Sequence, residues 1–301
     1  MLNDRFLTRR AAVKRAAFSA VAIPLFGSLS RLSAAVSPAR PSPSDSPAVA
    51  PKGRLADLKL GVASISLKNL TAANAAAVLK QLEIPCVSIF RTHAFFEKGT
   101  PDDCRNSAEI FRAAGVEPVT TSVVNLTNDE TAARRAFDNV RAAGLEMMTC
   151  KPTPDSLPLI ARLAREYDIR LAIHNHGPED KLYPSPYEAL KLIESLDPRI
   201  GLCIDVGHTM RARVDPAEAI RKCASRLHDV HLKDTFAIPG TLNDVPTEVG
   251  RGRIDTRAIL SALLEIKYAG PVAFEYERAN VNPTLGLAES IGFVRGTLAA
   301  M

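Results

Sequence analysis

From Leu58 onward, short apolar runs alternate with amphipathic stretches of helical period. This is the pattern of buried parallel strands and the helices that cover them. It predicts strands over Lys59 to Leu67, Cys86 to Arg91, Val116 to Val124, Leu145 to Cys150, Ile169 to Ile173, Ile200 to Ile204, Leu227 to Leu232 and Pro271 to Phe274. The helices predicted between and after them run over Thr71 to Glu83, Pro101 to Ala114, Thr127 to Ala143, Ser156 to Tyr167, Ser185 to Leu196, Asp215 to Ser225, Asp255 to Lys267 and Asn282 to Thr297. Local signals agree. Asp215-Pro216-Ala217-Glu218 reads as N-cap, proline at the first helical position and capping-box Glu; Thr127 to Glu130 reads as a second box, and Gly115 and Gly144 read as helix stops.

Eight consecutive strand-helix pairs within about 248 residues predict a (β/α)8 TIM barrel, whose site lies at the C-terminal ends of the strands. The competing arrangement is an open doubly wound sheet, but no glycine-rich dinucleotide loop follows the first strand.

The strand ends carry the chemistry. They present Lys151 from the fourth strand, His174 and His176 from the fifth, Asp205 and His208 from the sixth, His231 and Lys233 from the seventh, and Glu275 and Glu277 from the eighth. Singly, each has an ordinary reading as a loop cap, a satisfied core histidine or a rim ion pair. Together, imidazoles and carboxylates converging on one rim point to a divalent cation. His93 stays outside this group, as does His228, which has the opposite strand parity to His231. Arg91, after the second strand, joins Lys233 and Glu277 as a candidate for substrate contact.

The first part of the chain reads differently. Arg9-Arg10 precedes an apolar, Ala-rich segment from Ala16 to about Leu29, with small residues at Ser33-Ala34-Ala35, resembling a twin-arginine (Tat) signal peptide over residues 1–35. Residues 36–53, rich in Pro, Ser and Ala, read as a disordered linker, and the barrel as 54–301. The expected location is the periplasm or the exterior, with no stable membrane insertion once the signal is removed. Residues 1–35 hold six basic groups and one acidic group, a net of +5, which equals the +5 of the whole chain. The remainder is therefore near neutral, and a nucleic-acid partner is not expected. Cys86, Cys104, Cys150, Cys203 and Cys223 are odd in number, lack CxxC spacing and read as buried small residues.

IHNHGPE, GLCIDVGH, DVHLKD, VGRGRID (Val249 to Asp255) and AFEYE resemble the sugar phosphate isomerase/epimerase group of the xylose isomerase-like TIM barrels, over nearly all of residues 55 to 301. The resemblance implies one divalent metal held by Asp205, His231 and Glu275, with His174 where a glutamate is usual. Histidine in that place makes the set softer and favours Mn, Zn, Co or Fe over Mg. His174 and His176 lie on one strand face about 6.6 Å apart. We assign His174 to the metal and His176 to acid/base work, with the reverse left open.

Such a site supports proton removal beside a carbonyl through an enediolate. His176 is then the base, His208 a second acid or hydroxyl ligand, and Lys151 a partner for the developing oxyanion. The expected function is isomerisation or epimerisation of a sugar or keto-sugar. The alternatives are a lyase or dehydratase on an oxidised sugar or glycoside, and a carbohydrate-binding protein without turnover. Export favours free or oxidised sugars over sugar phosphates. No phosphate-cradling motif appears, and Gly250-Arg251-Gly252-Arg253 is only a weak anion-binding candidate. No feature of the pattern marks a particular oligomeric state.

Overall fold

Eleven strands and nine α-helices position the site in the computed structural model, which describes residues 57–238, 244–278 and 281–301. The strands are β1 (Lys59–Ala63), β2 (Cys86–Ile89), β3 (Glu117–Thr121), β4 (Val124–Leu126), β5 (Met147–Pro152), β6 (Arg170–His174), β7 (Ile200–Asp205), β8 (Leu227–Leu232), β9 (Asp234–Ala237), β10 (Asp244–Thr247) and β11 (Pro271–Phe274). The helices are α1 (Ala72–Gln81), α2 (Pro101–Ala113), α3 (Glu130–Ala142), α4 (Leu157–Tyr167), α5 (Pro186–Ile193), α6 (Val206–Arg211), α7 (Pro216–Lys222), α8 (Thr256–Glu265) and α9 (Pro283–Ala299). The regions assigned to a signal peptide and to the linker both lie outside the described residues.

Nine strands form one parallel sheet in the order β3-β2-β1-β11-β8-β7-β6-β5-β4. Its two edges, β3 and β4, are consecutive pieces of chain separated by Ser122 and Val123, so the sheet is a TIM barrel whose third stave comes in two parts. β3 pairs with β2, and β4 pairs with β5. The single strand expected over Val116 to Val124 is broken because Ser122 N donates to Ile89 O at 2.7 Å, after which the chain turns to its other neighbour. Threonine side chains bridge the seam: Thr121 Oγ1 donates to Thr149 O at 3.2 Å, and Thr149 N donates to Thr120 Oγ1 at 3.0 Å.

Other boundaries also move. β1 ends at Ala63, and Ser64–Leu67 forms a 3-10 turn in which Ser64 Oγ accepts from Phe90 N at 2.8 Å. α3 is capped by Asp129, whose Oδ1 accepts from Ala132 N at 3.1 Å, rather than by Thr127. α6 and the antiparallel hairpin of β9 with β10 were not expected.

Strand alternation sorts the core into two parts. Outward residues such as Leu171, Ile173, Leu202, Ile204, Val230 and Leu232 join Ile160, Leu163 and Ile220 of the helices in the main apolar core. Inward-facing Met147, Ala172 and Cys203 form a separate small cluster inside the barrel. All five cysteines are buried and free, as their spacing implied. No helix among the described residues is long and apolar enough to cross a membrane.

Candidate metal centre

Two residues along from the inner cluster, on the same strand faces, the barrel interior turns polar. Ala172 is followed by His174, Cys203 by Asp205 and Ala273 by Glu275, while β8 contributes Asp229 and His231. Parallel registry sets Asp205 beside His231 and His174 beside Cys203. Asn175 ties the ends of β6 and β7 together, accepting from Asp205 N at 3.0 Å and donating to Thr209 Oγ1 at 3.1 Å. Asp205 then caps α6, its Oδ1 accepting from His208 N at 2.8 Å, which leaves Oδ2 facing the barrel axis.

Four side chains meet there. One donor atom each from His174, Asp205, His231 and Glu275 lies within 4.8 Å of all the others. His174 Nε2 is 3.1 Å from His231 Nδ1 and 3.5 Å from Asp205 Oδ2, and His231 Nδ1 is 2.7 Å from Glu275 Oε2. Ligands at about 2.0–2.2 Å from a shared ion require separations of this order, and a two-imidazole, two-carboxylate set suits a borderline transition metal. The residues therefore fit a divalent cation. Cys203 is also within reach of His174 and His231. Burial first, then Asp229, pushes its thiol well above the ordinary range, so it is protonated in the metal-free site.

The same crowding sets the charges. Burial, the largest single influence, would raise Asp205 and Glu275, but Lys233 together with His208 and His174 at Asp205, and with His231 at Glu275, outweighs it, and both stay ionised well below the usual carboxylate range. Burial opposes the charge on Lys233 as well, yet Asp205 and Glu275 hold its ammonium above the ordinary lysine value. His231, despite burial, is lifted to about 9 by Glu275. His174 is pushed by burial down to about 4 and stays a neutral acceptor at neutral pH.

The residues expected to act on substrate surround this cluster. His176 Nδ1 lies 3.4 Å from His174 Nδ1 and 3.4 Å from Asp180 Oδ2, and it stands outside the four-residue group. Burial, then His208 and Lys151, lowers it to about 4. His208 is lowered by burial to about 4 as well, and its Nδ1 lies 3.0 Å from Arg211 Nη1. Lys151 forms an ion pair with Asp180, whose Oδ1 also accepts from the backbone of Leu182 and Tyr183. Asp180, Arg211 and Asn175 were not singled out from sequence, because they reach the site through loop and helix turns rather than strand parity.

Of the three residues expected at substrate, Lys233 is buried instead in an internal ion cluster, 2.9 Å from Asp205 Oδ2 and 2.7 Å from Glu275 Oε1. Gly207 makes this possible, since a Cβ there would lie 2.7 Å from the Lys233 methylenes. Glu277 is 4.0 Å from Lys233 and 3.7 Å from Lys68, and it lines a recess of about 300 Å³ with Ser66, Lys68, Tyr276 and Arg278. Arg91 stacks over Phe90 at 5.3 Å and lines a different recess, with Phe95, Lys98, Asn125 and Arg135, so the structure does not bring it to the histidine cluster.

The anion-cradling candidate at Gly250 to Arg253 is already filled. Asp234 Oδ2 accepts from Gly250 N at 3.0 Å and Gly252 N at 2.9 Å, and Oδ1 accepts from Thr235 N at 2.8 Å and Ile254 N at 3.1 Å. A Cβ at Gly252 would sit 2.1 Å from Asp234 Oδ1, so glycine is needed for the approach. His93 bonds Ser64 Oγ at 2.8 Å and Leu70 O at 3.1 Å, and His228 bonds Leu171 O at 2.9 Å; both are structural.

Residues 153–297 match the family described as xylose isomerase-like TIM barrel. The chain is 29% identical over 139 residues to an inosose dehydratase of Geobacillus kaustophilus, a match covering 41% of this chain and 44% of that protein. The chain thus spans less than half the length of that curated relative. Among solved structures it is similar to an IOLI protein with a bound zinc atom (TM-score 0.66, 17% identity, 81% of this chain and 99% of the other). It is also similar to a D-allulose 3-epimerase from Methylomonas sp. (TM-score 0.64, 13% identity, 80% and 98%). At these identities the structural likeness establishes the barrel fold.

Proposed function

We propose that this chain is a member of the xylose isomerase-like TIM barrel family that uses a divalent cation to labilise a C–H bond beside the carbonyl of a sugar-like substrate. The single observation that carries this reading is the convergence of His174, Asp205, His231 and Glu275 at the C-terminal end of the barrel. These four residues would hold the ion, which when bound supplies polarisation of a substrate carbonyl and its neighbouring hydroxyl.

The remaining steps fall to the chain's own groups. His176, neutral at neutral pH and held between His174 and Asp180, takes the substrate proton. Lys151, anchored by Asp180, offsets negative charge growing on the substrate oxygen. His208, fixed over the N-terminus of α6 and by Arg211, binds a hydroxyl or returns a proton. Returning the proton to the neighbouring carbon or the opposite face gives an isomerase or epimerase. Expelling a β-hydroxyl gives a dehydratase instead, and the inosose dehydratase relative is the specific reason to keep that second outcome. Export through the Arg9-Arg10 segment is part of the same proposal, supported by the sequence pattern alone.

Metal analysis of the purified protein, combined with a screen of keto-sugars and inososes in deuterated water, tests the reading. Stoichiometric divalent metal with deuterium entering the carbon next to the carbonyl supports it. Turnover without solvent exchange and without metal would sink it.

A further inference from the structure

Inside the barrel beneath His231 lies the carboxylate of Asp229. Asp229 is fully buried, two residues before His231 on the same inward face of β8. It reaches that face because the pairing of β7 with β8 shifts between Leu202 and Cys203: Leu202 pairs with Leu227 but Cys203 pairs with Asp229, so β8 carries His228 as an extra residue. Asp229 Oδ1 accepts from Val230 N at 2.9 Å, and Oδ2 accepts from Thr149 Oγ1 at 2.8 Å. Its other neighbours are the Cys203 thiol, which hydrogen-bonds to it, and His231 Nε2, 3.6 Å from Oδ2. Among the described residues no lysine or arginine pairs with Asp229, and His231 Nε2 has no hydrogen-bond partner. A buried carboxylate facing a buried, unpaired ring nitrogen is costly unless the two serve each other.

We propose that Asp229 is a positioning residue for His231: it receives the Nε2 proton, which leaves Nδ1 turned toward Asp205 and Glu275 as the ligand atom. A closure of a few tenths of an ångström brings the pair within hydrogen-bonding distance. Thr149 completes the support. Its hydroxyl donates to Asp229 and lies 3.1 Å from Thr120 Oγ1, so the carboxylate beneath the site is braced against the seam between β3 and β5. A ligand imidazole whose second nitrogen donates to a carboxylate is fixed in ring orientation and made more basic, and losing such a partner costs about 10- to 100-fold in metal affinity. This assignment rests on the metal reading above.

The experiment is titration of the metal-stripped full chain with Co²⁺ alone, for wild type, Asp229→Asn and Thr149→Val. It is read by Co²⁺ absorption bands and accompanied by NMR of ¹⁵N-labelled histidine. Asp229→Asn is expected to weaken Co²⁺ binding about 10- to 100-fold. Thr149→Val, which removes a neighbour of Asp229 but keeps the carboxylate, is expected to stay within about threefold, well short of that loss. In the metal-free wild type the His231 Nε2–H is expected to resonate as a slowly exchanging proton that Asp229→Asn shifts or removes. Wild-type affinity in Asp229→Asn, or an equal loss in Thr149→Val, would overturn the proposal. If wild type itself binds no Co²⁺, the metal reading fails separately and the histidine spectrum decides the positioning role. Should Asp229→Asn not fold, an unprotonated Nε2 on His231 in wild type overturns it directly.

Discussion

Lys233 Nζ lies 2.7 Å from Glu275 Oε1, so a buried ammonium and any ion held by Glu275 compete for one carboxylate group. With Asp205 Oδ2 at 2.9 Å, the lysine neutralises the two acids when no metal is bound. Lys233→Met is therefore expected to destabilise the metal-free protein by about 3–5 kcal/mol, the usual consequence of leaving buried charge unpaired. The same variant should bind Co²⁺ roughly tenfold or more tightly, since a unit charge a few ångströms away is worth over 1 kcal/mol even at an effective dielectric of about 20. Unfolding curves and Co²⁺ titrations check both parts. Weaker binding in the variant would mean that Lys233 supports the ion rather than opposing it.

The histidine pair separates binding from chemistry. His174 belongs to the four-residue cluster and His176 does not. His174→Ala should lose metal, whereas His176→Ala should keep metal and lose turnover by roughly two to four orders of magnitude, the usual worth of a general base. Metal content by mass spectrometry and solvent deuterium exchange into substrate report the two effects. The opposite pattern would exchange the roles.

The pH dependence of stability in the metal-free protein has a definite sign on each side. His174, His176 and His208 sit near 4 when folded against about 6.5 unfolded, so the unfolded chain takes up protons first and stability falls as pH drops through that window. Asp205 and Glu275, held low, extend the loss at still lower pH. His231 is raised to about 9, so its contribution is complete below about 6.5 and disappears as pH rises through 9. Melting temperatures of the metal-stripped protein should therefore peak near pH 6.5 and fall on both flanks. A flat limb from about 6.5 to 9 would show that His231 and Glu275 are not paired as described.

Export can be tested apart from chemistry. Replacing Arg9 and Arg10 together by Lys should leave the protein in the cytoplasm, with little found in the periplasmic fraction. Secretion at the unmodified level would point to a route independent of the arginine pair.

Much of this arrangement was legible before any coordinates. His174, Asp205, His231 and Glu275 each sit at the polar end of an apolar run, which put them on one rim with five other polar residues, and the family resemblance implied these four as the metal set. Strand parity places Asp229 with His231, but a lone acid inside LHDVHL reads as a strand residue until its fully buried partner is seen. Asp180 and Arg211 could not be found this way, because a loop and one turn of α6 bring them in and neither has a periodicity to read. The break between β3 and β4 was hidden for a related reason. It follows from which neighbour Ser122 bonds, a property of tertiary pairing rather than of residue type. Pro246 and the mixed polarity of β10 concealed the hairpin.

The loop from Gly250 to Ile254 behaves as a receptor that the chain has already occupied with a ligand of its own. Four backbone N–H groups enclose the Asp234 carboxylate, which is tethered in place and so acts at an effective concentration that a diffusing anion would need at least millimolar levels to match. A phosphate arriving from solution would have to displace that resident group and strand it in a buried position. The Gly-Arg-Gly-Arg sequence suggests an anion site, but Asp234 already fills the cradle. Asp234→Gly would open it, giving a protein whose loop is expected to be reordered by added acetate or formate.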